Sequence, residues 1–153
     1  MNVLFDTNVL LRSAEPGHAQ YREASDATDR LGRQGHALCL VPQNFYEYWV
    51  VSTRPVPQNG RGKTPDEVLA EFAFLESHFA VLPDVPTVFA EWKGLMATYK
   101  ATGKPSHDAR FVAAMRTHGL THLLTFNVQD FRRYAGITVL TPAGVVVPAT
   151  TGS

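Results

Sequence analysis

Short apolar runs of strand length alternate with amphipathic stretches of helical length along most of this chain. Asn2 to Phe5 is an apolar run of the kind that forms a buried strand, and it stops at Asp6-Thr7-Asn8, residues suited to starting a helix. From His18 to Gln34, Tyr21, Ala24, Ala27 and Leu31 recur at helical spacing among charges, and Gly35 follows as a terminator. Ala37 to Val41 reads as a second strand, and Pro42 opens an unusually apolar helix that runs through Val51. Thr53 to Lys63 gathers two prolines, two glycines and three cations into a loop. Thr64 then caps a new helix, with Pro65 at its first position and Glu67 placed to return the capping bond. A strand at Phe79 to Leu82 and helices over Pro86 to Ala101 and Ser106 to His118 follow, the last closed by Gly119. His122 to Phe126 and Ile137 to Leu140 complete the pattern as strands on either side of a single helical turn near Asp130. The alternation predicts an α/β fold with a central, mainly parallel sheet flanked by helices, without internal repeats or a domain boundary.

Composition narrows the class. Of 153 residues, 44% are hydrophobic and 18% charged, which suits one compact domain rather than a disordered chain. A single cysteine, Cys39, excludes an internal disulfide and a zinc site of several thiolates, and the six histidines include no HxxxH pair. No run is long enough to span a membrane, and Asp6 interrupts the amino terminus where a secretory signal requires an unbroken apolar stretch, so a cytoplasmic location is expected. Lys+Arg and Asp+Glu both number 14, but the balance hides a polarity. Residues 1–92 hold 7 cations and 12 acids, whereas residues 93–153 hold 7 cations and only two acids, Asp108 and Asp130.

Four carboxylates stand where the pattern makes them conspicuous. Asp6 directly follows the first strand, at the sheet edge where open parallel sheets bind ligands, although a helix cap would put an aspartate there too. Glu47 lies within Phe45-Tyr46-Glu47-Tyr48-Trp49-Val50-Val51, a helix apolar nearly all round, which predicts a buried carboxylate with either an arginine partner or a function. Asp108 shares a helix face with Phe111, Val112 and Met115, which turns it toward the core side. Asp130 follows another strand, in Thr125-Phe126-Asn127-Val128-Gln129-Asp130-Phe131, where capping is again the simpler role. Carboxylates gathered together repel one another unless a cation sits among them, and all-oxygen ligation selects Mg²⁺ or Mn²⁺. Such ions activate water and neutralise phosphoryl oxygens, which points to phosphodiester hydrolysis.

Leu4-Phe5-Asp6-Thr7-Asn8-Val9-Leu10-Leu11, Glu47 in its apolar helix, His107-Asp108-Ala109 with Ala113-Ala114, and Leu124 to Phe131 together resemble the PIN-domain ribonucleases. Among these the similarity is to the VapC toxins of bacterial toxin-antitoxin pairs. The resemblance implies a three-layer PIN-like nuclease domain over residues 1–142 with a C-terminal tail at 143–153, and Mg²⁺- or Mn²⁺-dependent endoribonuclease activity. It also implies a homodimer and a cognate antitoxin that covers the acidic pocket. Asp6, Glu47 and Asp108 match the family's first three acids, with Asp6 and Asp108 as direct metal ligands and Glu47 holding metal or water. At the fourth position many relatives read Thr-x-Asp-x-Asp-Phe; here Asn127 stands two residues after Thr125 and the acid, Asp130, comes one residue late. Either Asp130 supplies the fourth carboxylate with Asn127 assisting, or Asn127 takes the slot and positions a water. Thr125 and Asn8 are candidate donors that orient the acids. His107 projects about 100° from Asp108 around the helix and is assigned to packing or the surface.

An RNA substrate would need cations along its approach. Arg54, Arg61 and Lys63 on the loop, with Lys100, Lys104, Arg110, Arg132 and Arg133 from the basic part, are the candidates, each also explicable by solubility. The Trp and Phe residues fall mostly at helical spacing and are assigned to the core rather than to base stacking. A catalytically silent nucleic-acid-binding module is the alternative function, and a DNA-directed nuclease a third.

Overall fold

The computed structural model describes residues 1–146. Five parallel strands, β1 (Asn2–Phe5), β2 (Ala37–Leu40), β3 (Ala80–Val81), β4 (His122–Leu124) and β5 (Thr138–Leu140), lie in the order β3-β2-β1-β4-β5. Seven helices cover the sheet: α1 (Thr7–Ser13), α2 (Tyr21–Arg33), α3 (Pro42–Thr53), α4 (Pro65–His78), α5 (Pro86–Tyr99), α6 (Pro105–His118) and α7 (Pro142–Val146). The α/β architecture read from the sequence is therefore the architecture found.

Strand alternation divides the core into two layers. Leu4 of β1 packs with Cys39, Leu123, Phe111, Val112 and Met115 beneath α5 and α6. Its neighbours Val3 and Phe5 point the other way and pack with Leu10, Leu31, Tyr48 and Leu75 from α1 to α4. Both faces of β1 are thus dry, which explains its unbroken apolar run. At the edge, β3 is shorter than the segment Phe79 to Leu82, and both its residues are exposed.

The capping box at Thr64 forms as read. Thr64 Oγ1 accepts the Glu67 N–H at 3.2 Å, and Glu67 Oε1 accepts the Thr64 N–H at 3.1 Å. The segment read as a tail begins inside a helix. Residues 143–146 belong to α7, which packs on α2 and brings Val145 and Val146 against the second core layer; the rest of that segment lies outside the described residues.

The loop from Thr53 to Lys63 is more structured than its composition suggests. It makes one 3₁₀ turn at Val56–Gln58 and then folds back on the end of α3, where Arg61 N–H donates to Val51 C=O and Lys63 N–H to Ser52 C=O. Gly60 permits that return, since a Cβ there would sit 1.8 Å from the Arg54 carbonyl oxygen.

Candidate active site

β1 is where the chain reverses its direction of travel across the sheet: β2 and β3 extend from one side of it, β4 and β5 from the other. At such a switch point a crevice opens beyond the carboxyl ends of the strands. Asp6 is the first residue beyond β1 and Thr125 the first beyond β4, and backbone bonds hold both in register. The Asp6 N–H donates to Leu124 C=O at 2.9 Å and the Thr125 N–H to Leu140 C=O at 3.0 Å.

The crevice is a cavity of about 530 Å³ lined by Asp6, Glu47, Asp108 and Asp130, together with Asn8 and Asn127. Asp6 is 8% exposed. Its Oδ2 accepts the hydroxyl of fully buried Thr125 at 2.7 Å. The same Thr125 oxygen accepts the Asn127 N–H at 2.9 Å and lies 3.5 Å from Asn8 Nδ2, while Asn8 Oδ1 accepts the Phe126 N–H at 3.4 Å. Thr125 and Asn8 therefore tie the β1 and β4 ends together. Asn127 contributes its backbone to this network, with its side chain exposed at the cavity wall.

Glu47 is not buried as the apolar run suggested. α3 lies along the cavity mouth, so Tyr46 and Val50 are exposed and Glu47 is half-buried between them and the core. Among the described residues no arginine or lysine pairs with it. Its partner is Gln43, one turn earlier, whose Nε2 donates to Glu47 Oε2 and to the His107 carbonyl, both at 2.9 Å. Gln43 is itself buried, and it links Glu47 to the first turn of α6, which carries Asp108. Buried Asn44 does the same for β1: its Nδ2 donates to Phe5 C=O at 2.9 Å and Thr7 Oγ1 at 3.2 Å, and its Oδ1 accepts the Val41 N–H at 2.9 Å. Neither amide was singled out in the sequence. The available signal was two amides at the start of an apolar helix, one of them four residues before the conspicuous acid.

Asp108 is half-buried and faces the cavity, while Phe111, Val112 and Met115 on the same helix enter the core. Asp130 sits in a 3₁₀ turn at Val128–Asp130, exposed at the cavity edge. His107 is exposed. Of the cations, Arg54, Lys104 and Arg110 reach the cavity.

Arg61 does not reach it. Its guanidinium forms a bidentate pair with Glu71 on α4 at 2.8 and 2.9 Å, donates to Ser52 Oγ at 2.8 Å and to the Tyr48 hydroxyl at 3.2 Å, and its side chain is only 5% exposed. Through these contacts Arg61, expected as an RNA contact, fastens the loop between α3 and α4. Lys63 likewise turns to Glu67, at 3.9 Å. Lys100, Arg132 and Arg133 lie outside the cavity wall.

A family profile described as PIN domain matches residues 3–137, most of the chain and every element that builds this cavity. The chain belongs to the PIN-domain family. No curated protein sequence gives a significant match. Among solved structures, a chain of VapBC2 from Rickettsia felis bound to a promoter DNA fragment superposes with a TM-score of 0.68 at 12% identity, covering 92% of this chain and 98% of that one. A toxin-antitoxin complex from Klebsiella pneumoniae gives 0.63 at 24% identity, covering 92% and 97%. Mycobacterium tuberculosis VapC20, described as a sarcin-ricin-loop-cleaving toxin, gives 0.58 at 18% identity, covering 79% and 86%. At these identities the likeness is one of fold.

The electrostatics of this PIN domain are those of acids crowded in a poorly solvated space. Burial pushes the Asp6 carboxyl up to about 7; the nearby Glu47 and Asp108 charges add to the rise, while the Thr125 hydroxyl and Thr7 N–H oppose it. Asp108 is raised by burial and by the Asp130 and Glu47 charges, with Lys104 and His107 opposing. A cation among these groups would relieve both burial and repulsion. The donors are all oxygen, which suits a hard divalent ion. Among the described residues no three His, Cys, Asp or Glu side chains converge closely enough to enclose an ion.

The Thr125 bond should be visible in the titration of Asp6. Thr125→Val removes a hydrogen bond to the charged form, so the Asp6 carboxyl should titrate about one pH unit higher in the metal-free protein, while Thr125→Ser should leave it in place. Carbon-13 NMR of the Asp6 carboxyl measures this; an unmoved titration in Thr125→Val would show that the bond does not orient a charged Asp6.

Proposed function

We propose that this PIN domain is a metal-dependent endoribonuclease of the VapC type, the toxin of a toxin-antitoxin pair acting in the cytoplasm. The observation that carries the reading is that Asp6, Glu47, Asp108 and Asp130 all line one cavity at the switch point of the sheet. Asp6 and Asp108 would be the direct ligands of Mg²⁺ or Mn²⁺, and Glu47 would hold metal or water. Asp130 is the fourth carboxylate at the edge, with Asn127 beside it.

When bound, the divalent ion lowers the pKa of a water and neutralises charge on the scissile phosphoryl group. The chain's own residues supply the rest. Thr125 and the Thr7 N–H favour the charged form of Asp6, and Gln43 fixes Glu47 against α6. Arg54, Lys104 and Arg110 place positive charge at the rim, where phosphates flanking the cleaved bond would lie. A cognate antitoxin as inhibitor and a homodimer belong to the same reading. The superposed VapBC2 and Klebsiella toxin-antitoxin structures support the antitoxin partner.

Metal removal tests it. Purified protein should cleave single-stranded RNA in Mg²⁺ or Mn²⁺, cleavage should stop on chelation and return on adding either ion, and Asp108→Asn should remain inactive throughout. DNA offered in parallel should survive. RNA bound without product in either metal would favour the silent binding module, to which the neutral Asn127 lends weight, and cleavage of DNA alone would redirect the assignment.

A further inference from the structure

A second cavity of about 410 Å³ adjoins the carboxylate pocket, and His107 and Arg110 line both. Its far wall is aromatic. Phe89 and Trp92 of α5 lie nearly parallel, with ring centroids 6.3 Å apart and 22° between planes, and the Lys93 ammonium is 5.2 Å from the Phe89 ring centre. Trp92 is fixed by its indole N–H, which donates to the Ser106 carbonyl at 2.8 Å. Phe89 contradicts the assignment of aromatics to the core: it is 62% exposed, while Val88 beside it is buried. What sets Phe89 apart from other exposed apolar side chains is its place: it lies against a second ring in a cavity that shares His107 and Arg110 with the carboxylate pocket.

We infer that this aromatic cavity is a nucleobase subsite, in which an unpaired base adjoining the cleaved phosphate stacks on the Phe89–Trp92 pair. The inference rests on the ribonuclease reading of the carboxylate pocket. Continuity decides the occupant: a strand whose phosphate lies among Asp6, Asp108 and the Arg110 rim passes directly into the neighbouring cavity. Arg110 offsets Asp84 in the cavity lining, and Lys93 at the Phe89 ring adds a cation beside it, which suits a polyanion. Phe89 is also the one large apolar side chain that α5 leaves exposed, too little apolar surface for a stable contact with a second copy.

The test compares Phe89→Ala with its Phe89 parent, both carrying Asp6→Asn so that RNA survives. Two fluorescent probes of equal charge are used: octaadenylate, and an octamer of abasic ribose phosphates. Phe89→Ala should bind octaadenylate about 5- to 100-fold more weakly, with the salt slope unchanged and binding of the abasic octamer unaffected. Phe89→Tyr should retain the preference for bases. Equal loss on both probes, or no loss on either, overturns the subsite while leaving the ribonuclease reading intact. A Phe89→Ala protein that changes from dimer to monomer in sedimentation and keeps its preference for bases overturns it in favour of a self-association face. If octaadenylate does not bind the parent at all, subsite and ribonuclease reading both fall.

Discussion

Asp6→Asn should abolish RNA cleavage and at the same time make the metal-free protein more stable. The first effect comes from the loss of a metal ligand; the second comes from where the carboxylate lies, since burial and two neighbouring acids disfavour its charge and raise its pKa from 3.8 to about 7. In the unfolded chain that carboxyl ionises first, so between about pH 4 and 7 the native state binds more protons than the unfolded state. Stability of the metal-free wild type therefore falls as pH rises through that window and levels off above about 7. The amide cannot ionise and escapes the decline, so Asp6→Asn should gain about 4 kcal/mol over wild type at pH 8, a gain that vanishes near pH 4. Adding Mg²⁺ or Mn²⁺ at pH 8 should stabilise the wild type and leave Asp6→Asn nearly unchanged, because a ligand that binds only the native state stabilises in proportion to its affinity. Urea unfolding across pH, with and without metal, measures these shifts. Wild-type stability that does not fall between pH 4 and 7, or a variant that cleaves RNA as well as wild type, would remove Asp6 from the site.

Arg61→Ala should lower stability by about 3 kcal/mol, more than any loop-surface substitution would. The guanidinium serves Glu71, Ser52 and Tyr48 at once, and its removal leaves the Glu71 carboxylate and the Tyr48 hydroxyl with only each other, at 2.7 Å. Burial alone would raise the Glu71 carboxyl, but hydrogen bonds from Arg61 and Tyr48 outweigh it and hold the group below its usual range. Lysine cannot reproduce the bidentate fork, so Arg61→Lys should recover only part of the loss. Denaturant unfolding gives the magnitude. The contrasting result is an Arg61→Ala protein of wild-type stability whose RNA binding loses salt dependence, which would return Arg61 to the substrate path.

Much of the fold was legible because parallel strands buried on both faces leave continuous apolar runs, and helices announce their ends with Thr64, Pro65 and Gly119. The acids were legible for a related reason: Asp6 closes an apolar strand, Glu47 interrupts an apolar helix, and Asp108 and Asp130 are the only acids after Trp92. Gln43 and Asn44 were missed because an amide in a first helical turn has the same sequence appearance whether it meets solvent or reaches a carbonyl 39 or 64 residues away. The buried pair of Arg61 was illegible for the converse reason. A cation in a Pro/Gly loop is usually solvated, and nothing local reports that Glu71 waits on the next helix.

By itself the sequence determined the elements, their α/β order and the four carboxylates, since these depend on periodicity and residue type along a few consecutive turns. The tertiary structure alone decided which charges face the cavity. Arg54, Lys104 and Arg110 line the carboxylate cavity while Arg61 is consumed in a buried pair, and Phe89 stays in solvent beside the site while most of the other aromatics enter the core. The physical reason is that a charge or ring takes its role from what lies within a few ångströms. The crossing of the chain at β1 brings together residues more than a hundred positions apart, as it does Asp6 and Thr125.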